Sequence, residues 1–133
     1  MAWQHHRLRL STSTLYPDGI SVSWQQIDKG TYRGIGYLLE NLVYLDLIRN
    51  GYDVYVGTLR NKEVDFVATK NDRTIYIQAA YILVDEETVR REYTPLESIP
   101  DNYEKIVVSL DDFQYPSHLG IRHLRAWELN GIL

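Results

Sequence analysis

Apolar positions along the chain change period several times, and each change marks an element. From about Arg33 to Asn50 they recur at helical spacing, and Gly51 follows where a left-handed C-terminal cap would stop a helix. Short apolar-rich runs come next at Tyr52 to Gly57, Glu63 to Thr69 and Thr74 to Leu83. They are parted by Thr58 to Lys62 and by the turn-like Lys70-Asn71-Asp72-Arg73, a pattern that predicts three consecutive strands. Asp85 then stands as the N-cap of a second helix. Glu86 and Glu87 occupy its first turn and Arg90 and Arg91 its second, the order the helix dipole favours, and Pro95 is expected to end or kink it. Tyr103 to Leu110 reads as a buried strand and Ile121 to Trp127 as a last one. Ahead of all this, Arg7 to Tyr16 and Ile20 to Trp24 flank Pro17-Asp18-Gly19, which predicts a hairpin. The pattern divides the chain into an N-terminal hairpin extension over 1–30 and an α/β domain over 31–133.

Within these elements a few polar residues fall where apolar ones are expected. At 100° per residue, Gly36, Tyr37, Val43, Tyr44, Leu47 and Ile48 all lie within about 80° of Glu40, so its carboxylate points into an apolar arc. A buried glutamate costs several kcal/mol unless a cation, a set of hydrogen bonds or a raised pKa compensates. Bonds to backbone amides or a nearby arginine are the structural alternative to a functional role. Leu38, Leu42 and Leu45 form a second arc opposite, which predicts a helix covered on both sides. In the second strand, alternation puts Glu63, Asp65 and Val67 on one face and Val64, Phe66 and Ala68 on the other. Glu63 reads as a solvated strand end, whereas Asp65 lies deeper in an apolar run. On the third strand Tyr76, Gln78 and Ala80 share a face, and Gln78 offers a carbonyl ligand or two N–H donors. The expected core is Leu38, Leu42, Leu45, Val54, Phe66, Ile75, Ile77, Val107 and Val108.

Composition narrows the setting. With 133 residues, 44% of them hydrophobic, there is material for one core and no room for a second domain. A formal net charge of −4 argues against a strongly basic nucleic-acid binder while leaving a local basic patch open. The absence of cysteine excludes disulfides and thiolate zinc sites. No run of apolar residues is long enough for a membrane span, and the first ten residues lack the apolar centre of a signal peptide, so the expected location is the cytoplasm with no membrane partner. His5-His6, His118 and His123 show no metal-ligand spacing, and no phosphate-binding loop motif occurs.

Glu40 on a helix, Asp65 within Glu63-Val64-Asp65-Phe66-Val67, and Gln78-Ala79-Ala80 on the next strand resemble the PD-(D/E)XK nuclease superfamily. Further short motifs recur in order: Gly36-Tyr37-Leu38-Leu39-Glu40-Asn41, Gly51-Tyr52-Asp53-Val54, Glu86-Glu87-Thr88-Val89-Arg90-Arg91-Glu92 and Asp101-Asn102-Tyr103-Glu104-Lys105. Together, over about residues 31 to 129, they resemble the nuclease-like C-terminal domain of unassigned function in archaeal and bacterial AAA-type ATPases. The resemblance implies a restriction-endonuclease-like mixed sheet flanked by helices and a metal-dependent site acting on DNA. On that reading Glu40, Asp65 and Gln78 are the catalytic set and ligands of Mg²⁺; Arg90 and Arg91 on the second helix are the candidate relocated cations that contact nucleic acid. Active members place a lysine two residues after the second acid, where this chain has Ala80. By analogy with loss of one oxyanion donor, its absence costs about 10²–10³ in rate. The expectation is therefore a degenerate nuclease-like domain with a DNA-binding or weak phosphodiesterase site. The alternative is an inactive interaction module that recognises a protein partner, such as a separate ATPase or a second copy of the chain.

Overall fold

A computed structural model describes residues 2–5, 13–15, 21–23, 35–59 and 62–133, with side chains described within 38–59 and 62–133. It shows an α/β architecture, a mixed sheet with helices packed against it. The strands are β1 (Ala2–His5), β2 (Ser13–Leu15), β3 (Ser21–Ser23), β4 (Asp53–Leu59), β5 (Lys62–Lys70), β6 (Arg73–Ala80), β7 (Glu104–Ser109) and β8 (Ile121–Arg125). The helices are α1 (Ile35–Arg49) and α2 (Glu86–Glu97). The main sheet is six-stranded in the order β1-β4-β5-β6-β7-β8, antiparallel from β1 to β6 and parallel from β6 to β8. β2 and β3 pair antiparallel as a separate ribbon, while Pro17-Asp18-Gly19 and the outer parts of the expected hairpin lie outside the described residues. Among the described residues no helix is long and apolar enough to cross a membrane.

Helix α1 ends as its sequence requires. Gly51 takes φ 84°, its N–H donates to the Ile48 carbonyl at 3.0 Å, and Tyr52 N–H donates to the Leu47 carbonyl at 3.0 Å. These are the paired bonds of a Schellman cap, and Tyr52 and Leu47 meet in the same core. The sheet takes only one apolar stripe of α1. Leu39, Val43, Tyr44 and Leu47 are buried against Val54, Phe66, Ile75 and Ile77. Leu38 and Leu42, expected in the core, are 54% and 56% exposed, and Leu45 is only half-buried. The helix has two apolar arcs but one sheet to bury them, and the broader arc, the one flanking Glu40, won.

On the other sheet face α2 covers Val64, Val67, Tyr76, Ala80 and Val107 with Tyr93 and Leu96. Asp85 caps it, its Oδ1 accepting from Thr88 N–H at 2.7 Å. Pro95 does not end it: the helix runs on to Glu97, and Ser98 closes it by donating its N–H and Oγ–H to the Thr94 carbonyl. A proline this near the end removes one bond with little helix left to disturb. The last strand stops at Arg125, short of the expected Trp127. There Glu128 accepts from Arg125 N–H at 3.0 Å and pairs with the Arg125 guanidinium at 2.6 Å, turning the chain into a 3₁₀ helix over Ala126–Ile132.

Candidate functional site

Strand β5 does not alternate simply. Tyr55 pairs with Val67 and Gly57 with Val64, so Asp65 and Phe66 together stand opposite Val56. This is a β-bulge, one extra residue that breaks the two-residue period. Val64 and Val67 therefore share the α2 face, while Phe66 and Ala68 share the α1 face. The expected grouping of Glu63, Asp65 and Val67 on one face is overturned by that insertion.

The bulge coincides with a fork. Pairing of β5 with β6 runs from Lys70 opposite Arg73 to Phe66 opposite Ile77 and stops there. Beyond it, β5 stays with β4 as far as Lys62, and β6 stays with β7 as far as Ala80. Two side chains bridge the gap: Asp65 N–H donates to Gln78 Oε1 at 2.6 Å, and Ala79 N–H donates to Asp65 Oδ2 at 2.8 Å. Two backbone N–H groups, of Asp65 and Ala79, thereby find side-chain acceptors at the point where the ladder stops. Gln78 Nε2 lies 3.5 Å from the Glu63 carbonyl.

Asp65 sits between the two helical layers and feels acids from both. Its pKa is pushed up from 3.8 to about 8, chiefly by burial; the Ala79 N–H bond works against the rise, and the like charges of Glu40, Glu92 and Glu63 reinforce it. The fold thus brings Glu40 on α1 within electrostatic reach of Asp65 and places Gln78 in direct contact with it. Glu92 was not singled out in the sequence, yet its spacing carried the signal: three residues after Val89 and four before Leu96, it lies at the edge of the packed face of α2.

On the α2 side the fork opens into a cleft of about 620 Å³, lined by Lys62, Glu63, Gln78, Arg90, Arg91 and Glu92, with Glu87, Thr94 and Pro95. Two of the sequence-selected groups, Gln78 and the Arg90-Arg91 pair, meet here. Arg91 Nε donates to Glu92 Oε1 at 3.1 Å, which neutralises it, whereas Arg90 has no ion-pair partner among the described residues. Ala80 is 5% exposed and packed into the α2-face core beside Tyr76 and Leu83.

The carboxylates whose charges raise the Asp65 pKa, Glu40, Glu63 and Glu92, are oxygen donors of the kind that suits a hard divalent ion. The described residues do not by themselves assemble a cage for one. One Asp65 oxygen and the Gln78 carbonyl already accept backbone N–H groups, and among the described residues no three His, Asp or Glu side chains gather around a metal-sized point.

His123 serves elsewhere. Tyr115 N–H donates to His123 Nδ1 at 3.0 Å, so the neutral ring carries its proton on Nε2 and directs it to Ser109 Oγ at 2.7 Å; Ser109 in turn donates to Asp111 Oδ2 at 2.6 Å. All three side chains are buried, none of them an exposed nucleophile, so this chain of bonds ties β7 to β8 and to the loop between them.

No family model matches the chain. A protein of Haemophilus influenzae described as uncharacterized is 45% identical to it over 71 residues, which make up 53% of this chain. The matched stretch is only 17% of that relative, so the chain spans a small part of the longer protein it resembles.

Proposed function

We propose that this chain is a PD-(D/E)XK nuclease-like domain, degenerate in its chemistry, whose cleft binds the phosphodiester backbone of DNA without cleaving it efficiently. The observation that carries the reading is the cleft itself, which joins Gln78, at the fork, to Arg90, a cation with no ion-pair partner among the described residues. The bulged fork supports it, because bulges recur beside active sites, where they re-aim a side chain. Loss of cleavage follows from two features. Ala80 is enclosed in the core, so the strand offers no cation to meet charge growing on a phosphate. Asp65, with its pKa near 8, is largely protonated at neutral pH and already bonded to Ala79 N–H.

The test combines fluorescence anisotropy of labelled linear and branched duplexes with a plasmid-nicking assay in Mg²⁺ or Mn²⁺. We expect salt-sensitive binding that weakens in Arg90→Ala, and nicking no faster than an Asp65→Ala control. Absence of binding at low salt overturns the reading, and Asp65-dependent nicking overturns its degenerate part. A second reading, an inactive module that docks a protein partner, is favoured by the exposed Leu38 and Leu42 on α1. It would prevail if DNA binding failed and light scattering showed a dimer that Leu42→Glu dissociates.

A further inference from the structure

Ala80 leaves the fork without a cation from β6, and the cleft shows where another stands. Of its cationic side chains, Lys62, Arg90 and Arg91, the last is held by Glu92 and has a 70% exposed side chain. Lys62 is placed differently. It opens β5, on the arm of the fork that stays with β4, three residues ahead of the bulge at Asp65. Its Nζ donates to Ser98 Oγ at 3.1 Å, just past the end of α2, so the ammonium is tethered to the α2 side by a neutral group. It has no ion-pair partner among the described residues, so none of their carboxylates cancels its charge by direct pairing.

We propose that Lys62 is a phosphate-contacting cation of this cleft, doing from β5 what β6 cannot do through Ala80. The inference rests on the reading of the cleft as a DNA-backbone site. An ammonium has three donors and only one is used on Ser98, so the others are free for phosphate oxygens. Its compact charge on a flexible stem needs no second aligned partner, unlike the planar fork of an arginine. Lys62 and Arg90, entering from β5 and α2, then grip one strand from both walls, offsetting the repulsion of Glu63, Glu87 and Glu92.

The experiment is the salt dependence of binding of a fluorescein-labelled duplex, followed by anisotropy for the wild type, Lys62→Gln, Lys62→Arg and Ser98→Ala. A lost phosphate contact on duplex DNA lowers the slope of log K against log salt by about 0.9. Lys62→Gln should show that drop and weaker binding at low salt. Lys62→Arg should keep the wild-type slope, and so should Ser98→Ala, which removes the tether but not the charge. Wild-type binding with an unchanged slope in Lys62→Gln overturns the assignment of Lys62 alone. A wild type that binds no duplex at low salt overturns the cleft reading and this inference together. Matching thermal melts of Lys62→Gln and wild type establish that the variant is folded.

Discussion

Asp65 shows how one residue serves as structural latch and candidate functional group at once. Its backbone N–H and one carboxylate oxygen close the fork, and burial lifts its pKa to about 8. The sign of the linked effect follows. The unfolded chain gives up the Asp65 proton near pH 3.8 and the folded chain keeps it to about pH 8, so folding takes up a proton throughout that window. The stability contributed in this way is fully present below about pH 4 and lost as pH rises through 8. Asp65→Asn keeps an oxygen for Ala79 N–H and abolishes the titration. Urea denaturation should therefore find the gain of the Asp65→Asn variant over the wild type growing between pH 5.5 and 8.5; a constant difference would mean that Asp65 titrates alike in both states.

At the scale of the element, α1 exposes the difference between local and non-local information. Truncating Leu39, which is 1% exposed, to alanine should cost about 2–5 kcal/mol. Leu42→Glu, on the opposite stripe, should change stability by no more than about 0.5 kcal/mol, as measured by chemical denaturation. If Leu42→Glu destabilises as much as Leu39→Ala, that stripe is packed after all. The helix itself was legible in the sequence because its signals are local: helical period, then Gly51 at the cap. Asp85 before α2 and the succession of strands were legible for the same reason. Which stripe of α1 meets the sheet depends on where the strands lie, and the bulge at Asp65 depends on pairing with Val56 of β4, so neither is written in β5 or α1 alone. The turn of the chain into a 3₁₀ helix after Arg125 rests on the side chain of Glu128, a signal that strand periodicity does not see. The contribution of β1 to the main sheet, beside β4, is likewise a pairing of segments far apart in sequence.

The molecule as a whole places a second buried titratable group where its effect opposes that of Asp65. His123, 0% exposed, accepts Tyr115 N–H on Nδ1, and its pKa is held below the ordinary 6.5. Burial is the main cause; Asp111 and Glu128 pull upward, and Arg125 adds to the lowering. A second proton on the ring would also break the Tyr115 bond, since Nδ1 would have nothing left to accept with. As pH falls below 6.5 the unfolded chain binds a proton that the folded chain refuses, so the stability His123 contributes is present above 6.5 and is lost as pH falls through its folded value. Below pH 6.5 the two groups therefore act with opposite slopes, whereas from 6.5 to 8 the loss due to Asp65 continues. His123→Ala leaves Tyr115 N–H without its acceptor, at a cost of roughly 1–3 kcal/mol, and takes one bond from Ser109 Oγ, which keeps its bonds to Asp111. That deficit should be greatest at pH 7.5 and shrink at pH 5.5, where the wild type has lost part of its own advantage, and urea midpoints at the two values measure it. A deficit equal at both would show that the ring accepts its second proton as readily in the folded chain as in the unfolded one, and that the network joining β7 to β8 does not hold His123 neutral.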